Sequence, residues 1–226
     1  MLKLGSSSIL ALLVAVLATQ PVAGAGLAIP IFHGPRDKPV VALTFDDCWS
    51  PERAERIRLK LLEQRVKATL FCTAEHVADN PAVFRMFFAD GHEFANHTKF
   101  HPNLTGLSRD AIRREICGAR AMIDTNLRAV STNWFRPPYG AYNDRVRDVA
   151  RDCGYTHMVL WDVDSRDWSG ISSEQIAQRA LAGGKGSIVL MHIGPANTPV
   201  ALGKIIQGYR QRGFDFVKMS ALIARL

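Results

Sequence analysis

The sequence lacks the patterns that would indicate a zinc-knuckle or nucleic-acid-binding protein. Its four cysteines, Cys48, Cys72, Cys117 and Cys153, show no Cys-x-x-Cys spacing, which argues against a zinc knuckle. The 28 lysines and arginines outnumber the 21 acidic residues, yet no basic run is interleaved with aromatic residues. Nucleic acid is therefore not an expected partner. The chain also has no internal repeat, no low-complexity tract and no sign of a second domain.

Long apolar runs are missing apart from one near the N-terminus. Residues 9–18 form an uninterrupted apolar run after Lys3, and Ala23-Gly24-Ala25 is a small-x-small site. This is the layout of a secretory signal peptide, and ten residues are few for a membrane span, although an uncleaved anchor is the alternative. We predict a signal peptide over residues 1–25, a lead-in over 26–37 and one folded domain over 38–226. The mature protein would be exported, without a stable membrane span.

Cysteine usage agrees with export but does not fix a pairing. An even number of cysteines in an exported chain permits disulfides, and four cysteines allow three pairings. Buried free thiols are the alternative.

Apolar segments alternate seven times with amphipathic ones. The predicted strands cover residues 40–47, 68–72, 92–97, 133–136, 156–163, 187–192 and 214–219. Among the predicted helices, one begins at Ser108 and runs to about Leu127, and another is capped by Asn143. The strands are apolar throughout, as expected when both faces of a sheet are covered, and βα alternation indicates an α/β fold with a parallel sheet. The pattern does not separate an open sheet from a closed barrel.

Two adjacent carboxylates end the first predicted strand, in Thr44-Phe45-Asp46-Asp47. Desolvation and mutual repulsion disfavour two charges at the end of a buried strand. A metal ion and an arginine are the natural compensating groups.

Polar side chains follow five of the seven predicted strands, at the edge where parallel α/β folds bind ligands. These residues are Asp46 and Asp47 after the first strand, His97, Thr98 and His101 after the third, Arg136 after the fourth, Asp164, Asp167 and Trp168 after the fifth, and His192 after the sixth. Such a cluster predicts a functional site at this edge.

A histidine pair supplies candidate metal ligands. His97 and His101 are four residues apart, so they can face the same side of a turn and share a metal. One aspartate with two histidines leaves a coordination position open for water, which is typical of a catalytic site. The metal would lower the pKa of that water and polarise a carbonyl group.

Five ordered motifs carry a family resemblance. They are Thr44-Phe45-Asp46-Asp47, His97-Thr98-Lys99-Phe100-His101, Arg136-Pro137-Pro138-Tyr139-Gly140, Asp164-Ser165-Arg166-Asp167-Trp168 and Leu190-Met191-His192. Over residues 38 to 220 the chain resembles the polysaccharide deacetylases, the NodB-homology domain of carbohydrate esterase family four. The resemblance implies a distorted (β/α) barrel, here with about seven parallel strands. It also implies hydrolysis of N-acetyl groups on polysaccharide such as peptidoglycan or chitin oligomers, or of O-acetyl groups in some members.

The same resemblance implies a role for each site residue. One divalent metal, zinc first and cobalt or another ion otherwise, would be held by Asp47, His97 and His101. Asp46 would be the general base and His192 the general acid. The remaining roles are Arg136 pairing with Asp46, Asp167 holding His192, the backbone of Tyr139 binding the oxyanion, Trp168 and Leu190 walling the acetyl pocket, and Thr98 contacting a bound anion or the loop.

The chain differs from the family pattern at two positions, and two other functions remain as alternatives. The family usually has glycine where Cys48 stands, and often aspartate where Ile193 stands. A side chain at Cys48 can crowd the groove, bond to another cysteine or tune specificity. The alternatives to a glycan deacetylase are a hydrolase of non-sugar linear or cyclic amides and a non-catalytic envelope glycan binder. We expect an acetylated glycan as the partner and a monomeric protein.

Overall fold

The computed structural model describes residues 26–224 and contains nine short strands among them. The predicted signal peptide, residues 1–25, lies outside the described residues. The strands are β1 (Ile29–Ile31), β2 (Val40–Asp47), β3 (Thr69–Cys72), β4 (Glu93–Asn96), β5 (Trp134–Phe135), β6 (His157–Val159), β7 (Val163–Asp164), β8 (Ser187–His192) and β9 (Asp215–Phe216).

Eight helices separate the strands. They are α1 (Pro51–Glu63), α2 (Ala74–Asp79), α3 (Pro81–Ala89), α4 (Arg109–Leu127), α5 (Asp144–Asp152), α6 (Ser173–Ala180), α7 (Thr198–Gln211) and α8 (Met219–Ile223). The helix starts follow their capping residues. Ser108 accepts a hydrogen bond from the backbone of Ala111 and Asn143 accepts one from Val146, which confirms both predicted caps. No helix within residues 26–224 is long and apolar enough to cross a bilayer.

Every strand pair in the sheet is parallel. The spatial order is β1-β6-β5-β4-β3-β2-β8-β7, and β9 pairs with the start of β2. His33, two residues after β1, forms an antiparallel bridge with Ser187 of β8, so the chain after β1 links one end of the strand order to a strand near the other end. The sheet is therefore curled into a distorted, incompletely closed barrel, as the family resemblance implies.

The strand count differs from the predicted seven in two places. A short strand, β1, lies inside the predicted lead-in. The predicted fifth strand is broken into β6 and β7, and the break has a physical cause. The carbonyl groups of Val159 and Leu160 both accept hydrogen bonds from the buried guanidinium of Arg136, so the chain turns away from its β5 neighbour there.

Successive side chains of β2 point alternately into two hydrophobic cores. Leu43 and Phe45 pack in the outer core beneath the helices, whereas Val40 and Ala42 belong to a cluster inside the barrel. That inner cluster joins residues from β1, β2, β3, β4, β6 and β8 with α8. Because side chains alternate with period two, the next inward positions on β2 are Thr44 and Asp46.

The four cysteines form two disulfides. Cys48 at the end of β2 is bonded to Cys72 at the end of β3, and Cys117 in α4 is bonded to Cys153 after α5. Free thiols, the alternative considered for the sequence, are absent, since all four cysteines are paired.

Candidate active site

The carboxyl ends of the strands meet around one cleft of about 440 Å³. Its lining residues are Asp46, Asp47, His97, His101, Tyr139, Trp161, Asp164, Trp168, Leu190 and His192. Three further residues predicted for the site, Arg136, Asp167 and Thr98, are buried behind this lining. The parallel register brings these ends level, with Asp46 of β2 beside His192 of β8.

Asp47, His97 and His101 form a compact group of three donor atoms. Nε2 of His97 lies 3.4 Å from Oδ1 of Asp47, and Nε2 of His101 lies 3.2 Å from the same oxygen. One ligand atom from each residue lies within 4.8 Å of the others.

Hydrogen bonds and pKa shifts leave these donors in ligating forms. Nδ1 of His97 donates to the backbone carbonyl of Arg136 at 2.8 Å, so the lone pair of a neutral ring is on Nε2. Burial raises the pKa of Asp47, but the close approach and charge of His97, with the charges of His192 and His101, lower it to about 2. Burial, followed by His97, lowers the pKa of His101 below its usual range. An ionised carboxylate beside a neutral imidazole is a ligand pair ready for a metal.

The group fits a divalent metal. Oδ1 of Asp47 is buried and has no hydrogen-bond partner, an expensive condition for a carboxylate oxygen unless a cation contacts it. One carboxylate oxygen and two imidazole nitrogens suit zinc and related first-row ions, and three protein ligands leave one position open.

Asp46 has a different partner from Asp47. Nη1 of Arg136 donates to Oδ1 of Asp46 at 2.5 Å and to the hydroxyl of Thr44 at 3.1 Å. The same guanidinium donates to the carbonyls of Val159 and Leu160, and its carbon lies 4.0 Å from the centre of the Phe71 ring. Arg136 is fully buried, so this network fixes the orientation of Asp46 and places a positive charge against it.

His192 is held by a buried carboxylate. Nδ1 of His192 donates to Oδ1 of Asp167 at 2.7 Å, while Oδ2 of Asp167 accepts from the His192 backbone and from the hydroxyl of Thr198 at 2.6 Å. Burial lowers the pKa of His192, but the hydrogen bond and charge of Asp167, with the charges of Asp46 and Asp47, raise it to about 9. The raised pKa favours the protonated ring, and Nε2 is left free of Asp167.

Left-handed backbone conformations concentrate around the cleft. Positive φ angles occur at Asp47 (69°), Thr98 (70°), His101 (59°) and Tyr139 (60°), three of which line the cleft. Such angles cost free energy in residues other than glycine and persist only where surrounding contacts impose them. The contacts around the cleft therefore hold these residues in conformations that regular strands and helices do not use.

Cys48 also has a positive φ, 75°, at the position where the family usually has glycine. Its side chain is fully buried and bonded to Cys72, so it lies away from the cleft and does not crowd it. Ile193, the other departure, is also fully buried and packs in the outer core, and its backbone donates to the carbonyl of Asp46. Both departures thus support the walls of the site from behind.

The segment 97–101, which we name the histidine loop, is fixed by hydrogen bonds between side chains and its backbone. The Asn96 side chain accepts from the backbone of Thr98 at 2.7 Å, and the Thr98 hydroxyl accepts from the backbone of His101 at 3.0 Å. Glu115 accepts from the backbones of Lys99 and Phe100. Of the two contacts considered for Thr98, the structure shows the one with the loop.

Three residues of the site were not predicted from the sequence. Thr44 has a recoverable signal, since it stands two positions before Asp46 and so shares its face of β2. Thr198, at the start of α7, and Trp161, in the break between β6 and β7, carry no such signal. Their roles depend on how distant segments pack.

Comparison with known proteins agrees with this geometry. The polysaccharide deacetylase family model matches residues 33–158. A peptidoglycan-N-acetylglucosamine deacetylase from Bacillus cereus is 33% identical over 196 residues, covering 84% of this chain and 70% of that protein. A chitooligosaccharide deacetylase from Sinorhizobium fredii is 35% identical over 190 residues, covering 78% of this chain and 88% of that protein.

A solved structure extends the likeness to three dimensions. A carbohydrate esterase family 4 pseudoenzyme from Bacillus anthracis has a TM-score of 0.81 and 31% identity, covering 87% of this chain and 69% of that one. A mutant of that pseudoenzyme with restored enzymatic activity has the same TM-score. Since the family model covers more than half of the sequence and the deacetylase relatives match most of it, this chain belongs to the polysaccharide deacetylase family.

Proposed function

We propose that this protein is a metal-dependent deacetylase of N-acetylated glycans, with Asp47, His97 and His101 holding one divalent metal, preferably zinc. When bound, the metal lowers the pKa of a water molecule and polarises the acetyl carbonyl. The observation that carries the proposal is that two adjacent carboxylates contact different partners. Asp47 contacts two histidines, whereas Asp46 contacts a buried arginine.

Asp46 is the general base of the proposed reaction. Its Oδ1 is bound to Arg136, and its Oδ2 lies 3.6 Å from Nε2 of His97, next to the metal ligands. Arg136 holds one oxygen of the carboxylate and so orients the other, with which Asp46 accepts the proton of the attacking water. The water oxygen then forms the new bond to the acetyl carbon.

His192 is the general acid that completes the cleavage. It is protonated at neutral pH through Asp167 and stands beside Asp46 in the neighbouring strand. Its free nitrogen gives a proton to the amine as the carbon–nitrogen bond breaks, so water and amide yield acetate and a free amine. Tyr139 contributes its backbone N–H to the oxyanion, and Trp168 and Leu190 wall the acetyl pocket.

The substrate class rests on the relatives. Their names specify peptidoglycan N-acetylglucosamine and chitooligosaccharides, both chains of N-acetylated sugars. We propose such a glycan for this protein, with O-acetyl groups as further substrates. We further propose that a signal peptide directs the enzyme to the envelope or beyond it, and that the enzyme acts as a monomer.

Acetate release tests this function. Purified protein should release acetate from peptidoglycan or from N-acetylglucosamine oligomers, lose that activity with a chelator, and regain it with Zn²⁺ or Co²⁺. His97→Ala should bind no metal and release no acetate. Normal activity in His97→Ala, or activity on small linear or cyclic amides but on no glycan, would overturn the proposal.

A non-catalytic glycan binder is the second candidate, because one structural relative is a pseudoenzyme of the same fold. Metal binding and glycan binding without acetate release from any acetylated glycan would favour it. The presence of both a base and an acid with buried supporting partners favours catalysis, since binding alone requires neither.

A further inference from the structure

A second groove lies beside the catalytic cleft. It has a volume of about 440 Å³ and includes Trp49, Arg53, Trp168, Gly194 and Asn197 in its lining. Trp168 belongs to both the cleft and this groove, which we name the Trp49 groove. A polymer bound in the cleft can therefore continue into the groove without leaving the protein surface.

Trp49 is exposed but held in place. Its side chain is 43% exposed, yet the indole lies directly against the backbone of Gly194. A Cβ atom at Gly194 would lie 2.0 Å from Cε2 and 2.1 Å from Cζ2 of the indole, so only glycine admits this position. Arg53 of α1 donates to the carbonyl of Gly194 and ties the two segments together. The ring is thus preorganised, which lowers the entropy cost of binding to it.

Trp168 provides a second exposed ring on the groove. It is 57% exposed and follows Asp167, which is anchored to His192 and Thr198. One restrained indole, Trp49, beside a second exposed indole, Trp168, indicates a surface for a ligand, because tryptophan joins a large apolar face to a polar edge.

The charges around the groove favour an uncharged ligand. The Asp167 carboxylate is already occupied by His192 and Thr198, and Arg53 is engaged with Gly194. Asn197 donates its amide to the carbonyl of Ile171, so the groove offers no unpaired carboxylate to a cation. A pyranose ring has one face rich in C–H groups and a rim of hydroxyls, which matches indole faces with neutral polar edges.

From these contacts we propose that the Trp49 groove binds a sugar ring next to the one being deacetylated, with Trp49 as its stacking platform. This inference rests on the proposed function and makes the enzyme selective for longer glycans. Trp49 would act on substrate binding, not on bond cleavage, so its effect belongs in KM.

Chain-length dependence tests the inference. Deacetylation of N-acetylglucosamine oligomers of two to six sugars would be measured for wild type, Trp49→Ala, Trp49→Phe and Gly194→Ala. In Trp49→Ala the ratio of kcat/KM for the hexamer to that for the dimer should fall about tenfold, equivalent to about 1.4 kcal/mol. Trp49→Phe should recover part of the ratio, and Gly194→Ala should lower it by displacing the indole.

Phe88→Ala serves as the matched control, since Phe88 is an exposed aromatic residue on α3 that lines neither the cleft nor the groove. In Phe88→Ala the ratio of kcat/KM for the hexamer to that for the dimer should equal the wild-type ratio. An unchanged ratio in both Trp49→Ala and Gly194→Ala would overturn the inference while leaving the deacetylase intact. Failure of wild type to act on any oligomer would instead count against the proposed function.

Discussion

Asp46 and Asp47 are neighbours with opposite surroundings, and the backbone explains why. Asp46 is the last inward-facing residue of β2, so it meets Arg136 inside the barrel. Asp47 has a φ of 69°, which takes it out of the strand alternation toward His97 and His101. The sequence reveals the pair and its candidate partners, but the left-handed turn that separates them is imposed by tertiary contacts.

The Arg136–Asp46 pair should matter for stability as well as catalysis. Because both side chains are buried, Arg136→Met leaves a carboxylate uncompensated and should lower the free energy of unfolding by about 3–5 kcal/mol. Asp46→Asn combined with Arg136→Met should cost less than the sum of the two single changes. Urea unfolding of the four proteins measures this coupling, and strict additivity would contradict it.

Thr198 should act through Asp167 and His192. Thr198→Val keeps the shape of the side chain but removes the hydroxyl that donates to Asp167, so kcat should fall about tenfold if His192 loses its orientation. Thr132→Val is the matched control, since it removes a hydroxyl that donates to the Phe94 carbonyl away from the cleft. Both changes should cost about 1 kcal/mol in unfolding free energy. Equal kcat values in the two variants would show that Thr198 is only structural.

At the scale of elements, the sequence predicts the long segments well and the short ones poorly. The helix from Ser108 to Leu127 and the strand ending in Asp46-Asp47 match their predicted bounds, because caps and apolar periodicity are local signals. β1 is three residues long and contains Pro30, so no periodic pattern marks it. The break between β6 and β7 depends on Arg136, which comes from a distant part of the chain.

The Cys48–Cys72 disulfide joins β2 to β3 directly behind Asp47. Cys48→Ala with Cys72→Ala leaves alanine at a φ of 75° without a covalent restraint, which costs about 1–2 kcal/mol and should weaken Zn²⁺ binding. Cys48→Gly with Cys72→Ala should restore much of that affinity, because glycine adopts this angle freely.

Removal of the Cys117–Cys153 disulfide is the control for general destabilisation, since it ties α4 to the end of α5. Its double alanine variant should lose stability but keep Zn²⁺ affinity in a chelator competition assay. Equal Zn²⁺ affinities for the glycine and alanine variants at Cys48 would refute the role assigned to the restraint.

His92, which precedes β4, should make stability depend on pH. Burial and then the charge of Lys67 lower its pKa to about 4, and its Nδ1 accepts from the backbone of Ala68 at 3.1 Å. Between pH 4 and 6.5 the unfolded chain binds more protons at this position than the folded chain. Stability should therefore decrease as the pH falls through this window, by up to about 3 kcal/mol from His92.

The measurement is urea unfolding between pH 7 and 4.5 with chelator present, for wild type and His92→Asn. Asparagine retains a hydrogen-bond acceptor but does not titrate, so its unfolding free energy should decline less steeply with falling pH. Identical slopes in the two proteins would exclude His92 as the source.

At the scale of the whole molecule, βα alternation predicts the parallel sheet and the edge that carries the site. It does not predict how the sheet closes, since closure depends on the bridge between His33 and Ser187 and on an inner core assembled from six strands and α8. The relatives add a second lesson, because a pseudoenzyme shares this fold. Activity must therefore be argued from the side chains in the cleft.

In the proposed mechanism the adjacent aspartates have different roles, with Asp47 as a metal ligand and Asp46 as the general base. Metal content and acetate release measured together on wild type, Asp46→Asn and Asp47→Asn test it most directly. We expect one Zn²⁺ and activity in wild type, one Zn²⁺ with kcat lowered at least about 10²-fold in Asp46→Asn, and neither metal nor activity in Asp47→Asn. Loss of metal in Asp46→Asn with retention in Asp47→Asn, or full activity in either variant, would contradict the account.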